Sequence, residues 1–180
     1  MFGSAMKTAR RVQFIDELMK SLTSKKTFGV LRKGHEEKVI AAHLHPTLRN
    51  DPGRILRLMN PSWSDHNVER KSSEALLWER NLNTTINHIQ FMGTQHRPDF
   101  IVKFDDIRIG VELKRGDTGS AVREALGQCL VYSSEYEFVC CVIADTSKDE
   151  RIKKAFGSSA KEKELLERLW DEYNIKIAVV

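Results

Sequence analysis

The sequence lacks an uninterrupted apolar run of the roughly 20 residues that a membrane-spanning helix needs. Its N-terminus also lacks the apolar central region and the small-residue cleavage site of a secretory signal. These two absences argue against a membrane-embedded or secreted protein. They predict a cytoplasmic location.

Cysteine is scarce, with three residues in the whole chain: Cys129, Cys140 and Cys141. Their spacing does not fit a set of zinc ligands. The adjacent pair lies in the run Phe138–Ile143, which is typical of a buried strand. We expect buried, reduced thiols and no structural zinc.

The chain also has no internal repeat and no low-complexity linker. At 180 residues, 41% hydrophobic and 30% charged, it is long enough to bury the core of one globular domain. A formal charge of +4 and a pI near 9.0 are compatible with a polyanionic partner. Basic clusters are equally typical of solvated faces, and they occur at Lys7–Arg11, Lys25–Lys26 with Arg32–Lys33, Arg49–Arg57 and Lys114–Arg115.

The hydrophobic pattern changes near His88 from a helical period to a period of two. Before that point it predicts helices over Arg10–Leu22, Gly34–Leu44 and Glu69–Leu82, with a loop over Pro46–Asn67 that carries a short helical piece at Arg54–Met59. After it, the pattern predicts strands His88–Thr94, Asp99–Phe104 and Ile107–Lys114, helix Ser120–Ser133, strand Phe138–Ala144, helix Asp149–Tyr173 and strand Ile175–Val180. This order is typical of an α/β domain with a mixed central sheet flanked by helices. We expect a helical region over residues 1–68 and a core over 69–180, joined in one compact domain.

The hairpin at residues 98–116 has a register that follows from its turn. If Asp105 and Asp106 form a two-residue turn, Asp99 lies opposite Glu112. Directly opposed residues of an antiparallel pair have Cβ atoms roughly 4.5 to 5.5 Å apart, and like charges there destabilise the sheet. A three-residue loop would shift the register and separate the two carboxylates.

Alternation along the second strand divides its side chains between two faces. Glu112 and Lys114 share the face of Asp99, and the opposite face carries Ile107, Ile109, Val111 and Leu113. A half-exposed ribbon with a Glu112–Lys114 ion pair would account for this pattern. Opposed carboxylates also become favourable around a divalent cation, and hard oxygen ligands suit magnesium or manganese.

Pro98-Asp99 followed by Glu112-Leu113-Lys114 resembles the motif of the PD-(D/E)xK nuclease superfamily, which has a restriction-endonuclease-like fold. The predicted order from Glu69 to Ala144 is similar to the core of that fold: a helix, a three-stranded meander, a helix and a strand. Gln128 and Tyr132 resemble the Gln-x-x-x-Tyr element of the RecB-like branch, and their spacing puts them on one helical face.

The resemblance implies a role for each motif residue. Asp99 and Glu112 would hold Mg²⁺ or Mn²⁺, with the backbone carbonyl of Leu113 as a further ligand. Lys114 would position the attacking water or stabilise negative charge. A role as general base would require a lowered pKa, which the neighbouring carboxylates oppose.

The superfamily often adds an acid from the helix before the meander, and Glu74 is our first candidate. Glu36 is the rival, because it lies on the apolar stripe of its own predicted helix. His35 beside it offers another alternative. Some viral cap-snatching endonucleases of the superfamily add such a histidine to the metal site.

Candidate nucleic-acid contacts are Arg97 and Arg115, which flank the motif, together with Gln128 and Tyr132. The N-terminal helices are a candidate specificity or homodimerisation element. The sequence contains no recognised DNA-reading motif. We therefore predict a metal-dependent nuclease that acts on DNA in preference to RNA. The alternatives are a catalytically inactive relative that binds nucleic acid or a protein, an RNA endonuclease of the cap-snatching type with His35 as a ligand, and an unrelated α/β protein with a chance match.

Overall fold

The computed structural model describes residues 7–24, 49–78 and 88–180, and its centre is a five-stranded mixed sheet of order β1-β4-β5-β6-β7. Strands β1, β4 and β5 are antiparallel, whereas β5, β6 and β7 are parallel. The sheet strands are β1 (Leu76–Trp78), β4 (Phe100–Phe104), β5 (Ile107–Gly116), β6 (Phe138–Asp145) and β7 (Ile175–Val179), and a separate two-stranded ribbon is formed by β2 (Ile89–Phe91) and β3 (Thr94–His96).

Helices cover both faces of the sheet. They are α1 (Ala9–Leu22), α2 (residues 49–59), α3 (Asp65–Ser73), α4 (Gly119–Tyr132), α5 (Arg151–Ala155) and α6 (Ala160–Tyr173), with a 3₁₀ turn at Lys148–Glu150. The predicted α/β architecture with a mixed sheet flanked by helices is confirmed. No helix within the described ranges is long and apolar enough to cross a membrane.

The face under α1 and α2, called the α1 face below, carries one continuous cluster of buried apolar side chains. Phe14 of α1 stacks on Phe104 of β4 with ring centroids 4.0 Å apart. The predicted alternation along β5 is confirmed, since Ile107, Ile109, Val111 and Leu113 all belong to this cluster. Each fully buried side chain of this kind contributes roughly 1.5–3 kcal/mol. Because α1 supplies part of this core, residues 9–22 do not form a layer separate from the predicted core region.

The opposite face, called the α4 face below, is covered by α4 and α6. Ala125, Cys129 and Tyr132 of α4 pack there against Ile101, Val139, Cys141 and Ile143 of the sheet. All three cysteines are buried and free, as expected from the sequence. The face that carries Glu112 is therefore covered by a helix, and the expectation of a half-exposed ribbon is wrong.

The turn between β4 and β5 has the predicted register. Phe104 pairs with Ile107, Val102 with Ile109, and Phe100 with Val111. Asp105 at the turn adopts a φ of 51°, a left-handed conformation that aspartate tolerates better than most residues. Continuing this register by one step puts Asp99 opposite Glu112.

The helix predicted over Glu69–Leu82 is wrong at both ends. Helix α3 begins at Asp65, where the side chain of Ser64 caps it by accepting a hydrogen bond from Asn67 N, and it ends at Ser73. Leu76–Trp78 forms strand β1 because it hydrogen-bonds along β4, a long-range pairing that helical spacing of apolar residues does not reveal. Residues 79–82 lie outside the described ranges.

The first strand of the predicted meander is also misassigned. The strand beside β4 is β1, and residues 89–96 form the separate ribbon. The predicted strand His88–Thr94 is interrupted by a turn at Met92 and Gly93, whose φ angles are 48° and 75°. Positive φ at both positions is the requirement of a two-residue hairpin turn, and glycine meets it without strain.

Two further helix predictions differ from the structure. The predicted helix Asp149–Tyr173 is divided into α5 and α6. Gly157 adopts a φ of 65° between them, and Ser159 caps the new helix by accepting a hydrogen bond from Glu162 N. The short helical piece predicted at Arg54–Met59 is longer, since α2 covers residues 49–59. The helix predicted at 34–44 lies outside the described residues.

Candidate active site

The candidate site lies where β4 and β5 part. β5 pairs with β4 as far as Val111 and then continues to Gly116, and within the described ranges this last part pairs with β6 alone. Asp99 immediately precedes β4, and its Oδ2 accepts a hydrogen bond from Leu113 N at 2.8 Å. The carboxylate of Asp99 thus occupies the place that a backbone carbonyl would take if β4 were longer.

Glu112 projects from β5 onto the α4 face and is 6% exposed. Burial raises the pKa of Glu112 well above its ordinary value, and the negative charge of Asp99 adds to this effect. Lys114 acts in the opposite direction but does not cancel it. Two carboxyl groups of like charge are therefore held together in a site that water reaches poorly.

Lys114 follows two positions later on the same face. Its ammonium donates a hydrogen bond to Glu124 Oε1 of α4 at 2.8 Å. The side chain of Lys114 is 11% exposed, whereas that of Glu124 is 59% exposed. The Lys114 side chain thus extends from β5 to α4, and its ammonium lies beside a carboxylate that is exposed to solvent.

Tyr132 joins the two sides of the site. It is buried, and its hydroxyl donates a hydrogen bond to the backbone carbonyl of Arg97 at 2.8 Å. Burial raises the pKa of the phenol, and the nearby charges of Glu112 and Asp99 raise it further. We predicted a nucleic-acid contact at Tyr132, but its ring has almost no exposed surface, so its contacts indicate a role in holding the site together.

Gln128 lies on the same face of α4, four residues after Glu124 and four before Tyr132. Its Oε1 is buried and accepts no hydrogen bond from the described residues. Buried polar atoms usually have a partner, in protein or in water. This carbonyl oxygen is therefore available to a ligand or an ordered water.

The remaining sequence candidates are distributed around this centre. The side chain of Leu113 is buried on the α1 face, so only its backbone can contribute to the site. Arg97 is exposed just before Asp99. Arg115 is half-buried and donates from Nε to Thr146 Oγ1 at 3.1 Å.

Glu74 does not join the site. It caps the C-terminus of α3, and the antiparallel register pairs Leu76 with Val102, so Glu74 lies near the Phe104 end of β4. Asp99 lies at the other end of that strand. The register therefore separates Glu74 from Asp99, because Leu76–Trp78 forms a strand instead of continuing the helix into the sheet. Glu36 and His35 lie outside the described residues.

The geometry adds one residue that the sequence predicts to be solvated, Glu124. An acid on the exposed side of a helix is usually solvated, and the chain alone does not show that Lys114 lies against this helix. Its spacing of four residues from Gln128 was the available signal. Within the described ranges, no group of three or more His, Cys, Asp or Glu side chains is arranged to hold a metal ion.

Comparison of the chain with protein-family models, curated proteins and solved structures found no match. The functional argument therefore depends on the geometry and chemistry of the site.

Proposed function

We propose that the protein is a Mg²⁺- or Mn²⁺-dependent nuclease with a restriction-endonuclease-like fold, and that DNA is its preferred substrate. The observation that carries this proposal is the meeting of Asp99 and Glu112 at the point where β4 and β5 part, with Lys114 on the same face. A purely structural role would favour apolar side chains there, since burying carboxyl groups side by side is costly.

The donor set fits a small hard cation. Magnesium in proteins keeps several of its waters and is bound by one or two carboxylates together with substrate phosphates. Asp99 and Glu112 would supply those carboxylates, and the backbone of Leu113 is next to both. When bound, such a cation neutralises charge on a phosphate and polarises the attacking water.

The chain's own residues would divide the remaining work. Lys114 lies two positions after Glu112 on the same face of β5 and donates a hydrogen bond to Glu124. We assign its ammonium to stabilising negative charge on the phosphate. Tyr132 would hold the chain at Arg97, two residues before Asp99, against α4.

The test is cleavage of linear duplex DNA, circular single-stranded DNA and RNA, each with Mg²⁺, Mn²⁺ or EDTA. We expect metal-dependent cutting by the wild type and a loss of at least about 100-fold in Lys114→Ala, Glu112→Ala and Asp99→Ala. Lys103→Ala is the matched control, because Lys103 is an exposed lysine on β4. Cutting of the circle would identify an endonuclease.

Three results would contradict the proposal. The first is cutting that persists in EDTA, and the second is equal activity of wild type and Lys114→Ala. The third is nucleic-acid binding without cutting, which would support the inactive relative instead. Cutting of RNA alone would support the cap-snatching alternative.

A further inference from the structure

The ribbon formed by Ile89–His96 has features that its packing does not require. Its tip is apolar and exposed: Met92 is 86% and Phe91 is 50% exposed. Large apolar side chains at the end of a two-residue turn contribute nothing to the core. A binding partner would explain their exposure.

The ribbon is attached to the candidate site at its base. It contacts α4, and Ile89 at its base packs against the apolar cluster of the α4 face. The hydrogen bond from Tyr132 to the Arg97 carbonyl holds the chain where the ribbon ends. Asp99 follows two residues later, so the base of the ribbon lies next to the candidate site.

Amide side chains occupy one exposed face of the ribbon. Gln90 pairs across the strands with Gln95, and both side chains are exposed. Glutamine amides hydrogen-bond base edges in the minor groove, where they distinguish A·T from G·C base pairs. The segment from His88 to Pro98 contains no acidic residue and includes Arg97, so nothing in it repels a phosphate backbone.

We propose that this ribbon enters the minor groove of duplex DNA, with Gln90 and Gln95 at the base edges and with Phe91 and Met92 at its tip as an apolar wedge. β-Ribbons bind DNA in the minor groove as well as in the major groove, whereas the minor groove of an RNA duplex is wide and shallow. Phenylalanine and methionine are among the side chains that partly unstack base steps. The inference deepens the proposed function, since it names the form of substrate that this site would receive.

The reach of the ribbon is consistent with that role. Met92 precedes Asp99 by seven residues, and an extended chain spans at most about 3.6 Å per residue, so the tip lies within about 25 Å of Asp99. At about 3.4 Å per base pair, this distance corresponds to about seven base pairs of duplex. The wedge would therefore disturb stacking within one helical turn of the phosphate at the site.

The test separates binding from cleavage. Binding of a fluorescein-labelled DNA duplex is followed by anisotropy in EDTA at low salt, for the wild type and for Phe91→Ser/Met92→Ser. We expect the double variant to bind at least about fivefold more weakly, the effect of losing one base–aromatic contact. Leu58→Ser is the matched control, because Leu58 is 55% exposed on α2, away from the ribbon. It should bind like the wild type.

A duplex with 2-aminopurine placed within about seven base pairs of a cleavage point gives a second readout. The wild type should increase its fluorescence by unstacking the base, and Gln90→Ala/Gln95→Ala should reduce discrimination between duplex sequences. Thermal melting of each variant establishes that it is folded, which is expected because these four side chains are exposed.

The inference and the proposed function can fail separately. If the wild type cuts DNA and the tip variant binds and cuts equally well, the ribbon inference is overturned and the nuclease proposal stands. If DNA binding depends on the tip but nothing is cut, the nuclease proposal fails and the ribbon inference stands. A wild-type dimer that becomes monomeric in the tip variant, or tip-dependent binding of RNA alone, would also overturn the inference.

Discussion

Glu112→Gln tests whether the buried carboxyl at the centre of the site is held at a cost in stability. Burial, and then the charge of Asp99, raise the pKa of Glu112 well above its ordinary value of 4.5. Between the ordinary pKa, which applies to the unfolded chain, and the raised pKa of the folded protein, the folded state keeps a proton that the unfolded state has released. The free energy of unfolding therefore falls as pH rises through this interval.

The magnitude follows from the linkage of one proton. Each pH unit within the interval costs at most about 1.4 kcal/mol. Glutamine has nearly the same shape, but it has no charge to place beside Asp99. We expect Glu112→Gln to match the wild type near pH 5 and to exceed its stability progressively above that pH, by no more than about 1.4 kcal/mol for each pH unit.

The assay is urea unfolding, followed by tryptophan fluorescence in EDTA at pH 5, 6, 7 and 8. Glu167→Gln is the control, because Glu167 is exposed on α6 and its neutralisation should leave the slope unchanged. Equal pH slopes for wild type and Glu112→Gln would refute the reasoning. Added Mn²⁺ should stabilise the wild type at pH 7 by about 2.7 kcal/mol at 100 times the Kd, and should not stabilise Glu112→Gln to this extent.

Three further substitutions test packing and hydrogen bonding at the ends of β5, α4 and β6. Gly116→Ala places a Cβ 2.5 Å from Cγ2 of Ile143, so thermal melting should show a loss of about 1–3 kcal/mol, and an unchanged Tm would contradict the packing. Tyr132→Phe removes the hydrogen bond to the Arg97 carbonyl and should cost about 1–3 kcal/mol in urea, with Tyr173→Phe, an exposed tyrosine, as control. Burial raises the pKa of Asp145, but hydrogen bonds from Ser147 and from the amide of Lys153 outweigh it and lower the pKa overall. Asp145→Asn should therefore be less stable than the wild type at pH 7, and this difference in stability should shrink as the pH falls below about 4. Thermal melting at each pH measures the difference.

Local pattern was sufficient where a strand alternates strictly or a turn is short. The two faces of β5, the register of β4 against β5 and helix α4 were all correctly predicted, because each depends on neighbours within about 15 residues. The opposition of Asp99 and Glu112 follows from that register alone. It was the strongest functional signal in the chain.

Local pattern failed where long-range pairing decides the structure. Leu76–Trp78 has apolar spacing that is compatible with a helix, and it becomes a strand because β4 offers a free edge for hydrogen bonding. As a result, Glu74 lies near the Phe104 end of β4, whereas Asp99 lies at the other end. It also left residues 89–96 outside the main sheet as a separate ribbon.

By itself, the sequence determined which side chains share a face, since the periods of helices and strands are properties of the local backbone. Only the tertiary structure decided what lies against each face. Because α4 packs over Glu112, this carboxyl of an alternating strand is buried and its pKa is raised. The same packing pairs Lys114 with Glu124 and buries Tyr132. The physical reason is that burial and charge pairing depend on contacts between elements distant in sequence, which no local period encodes.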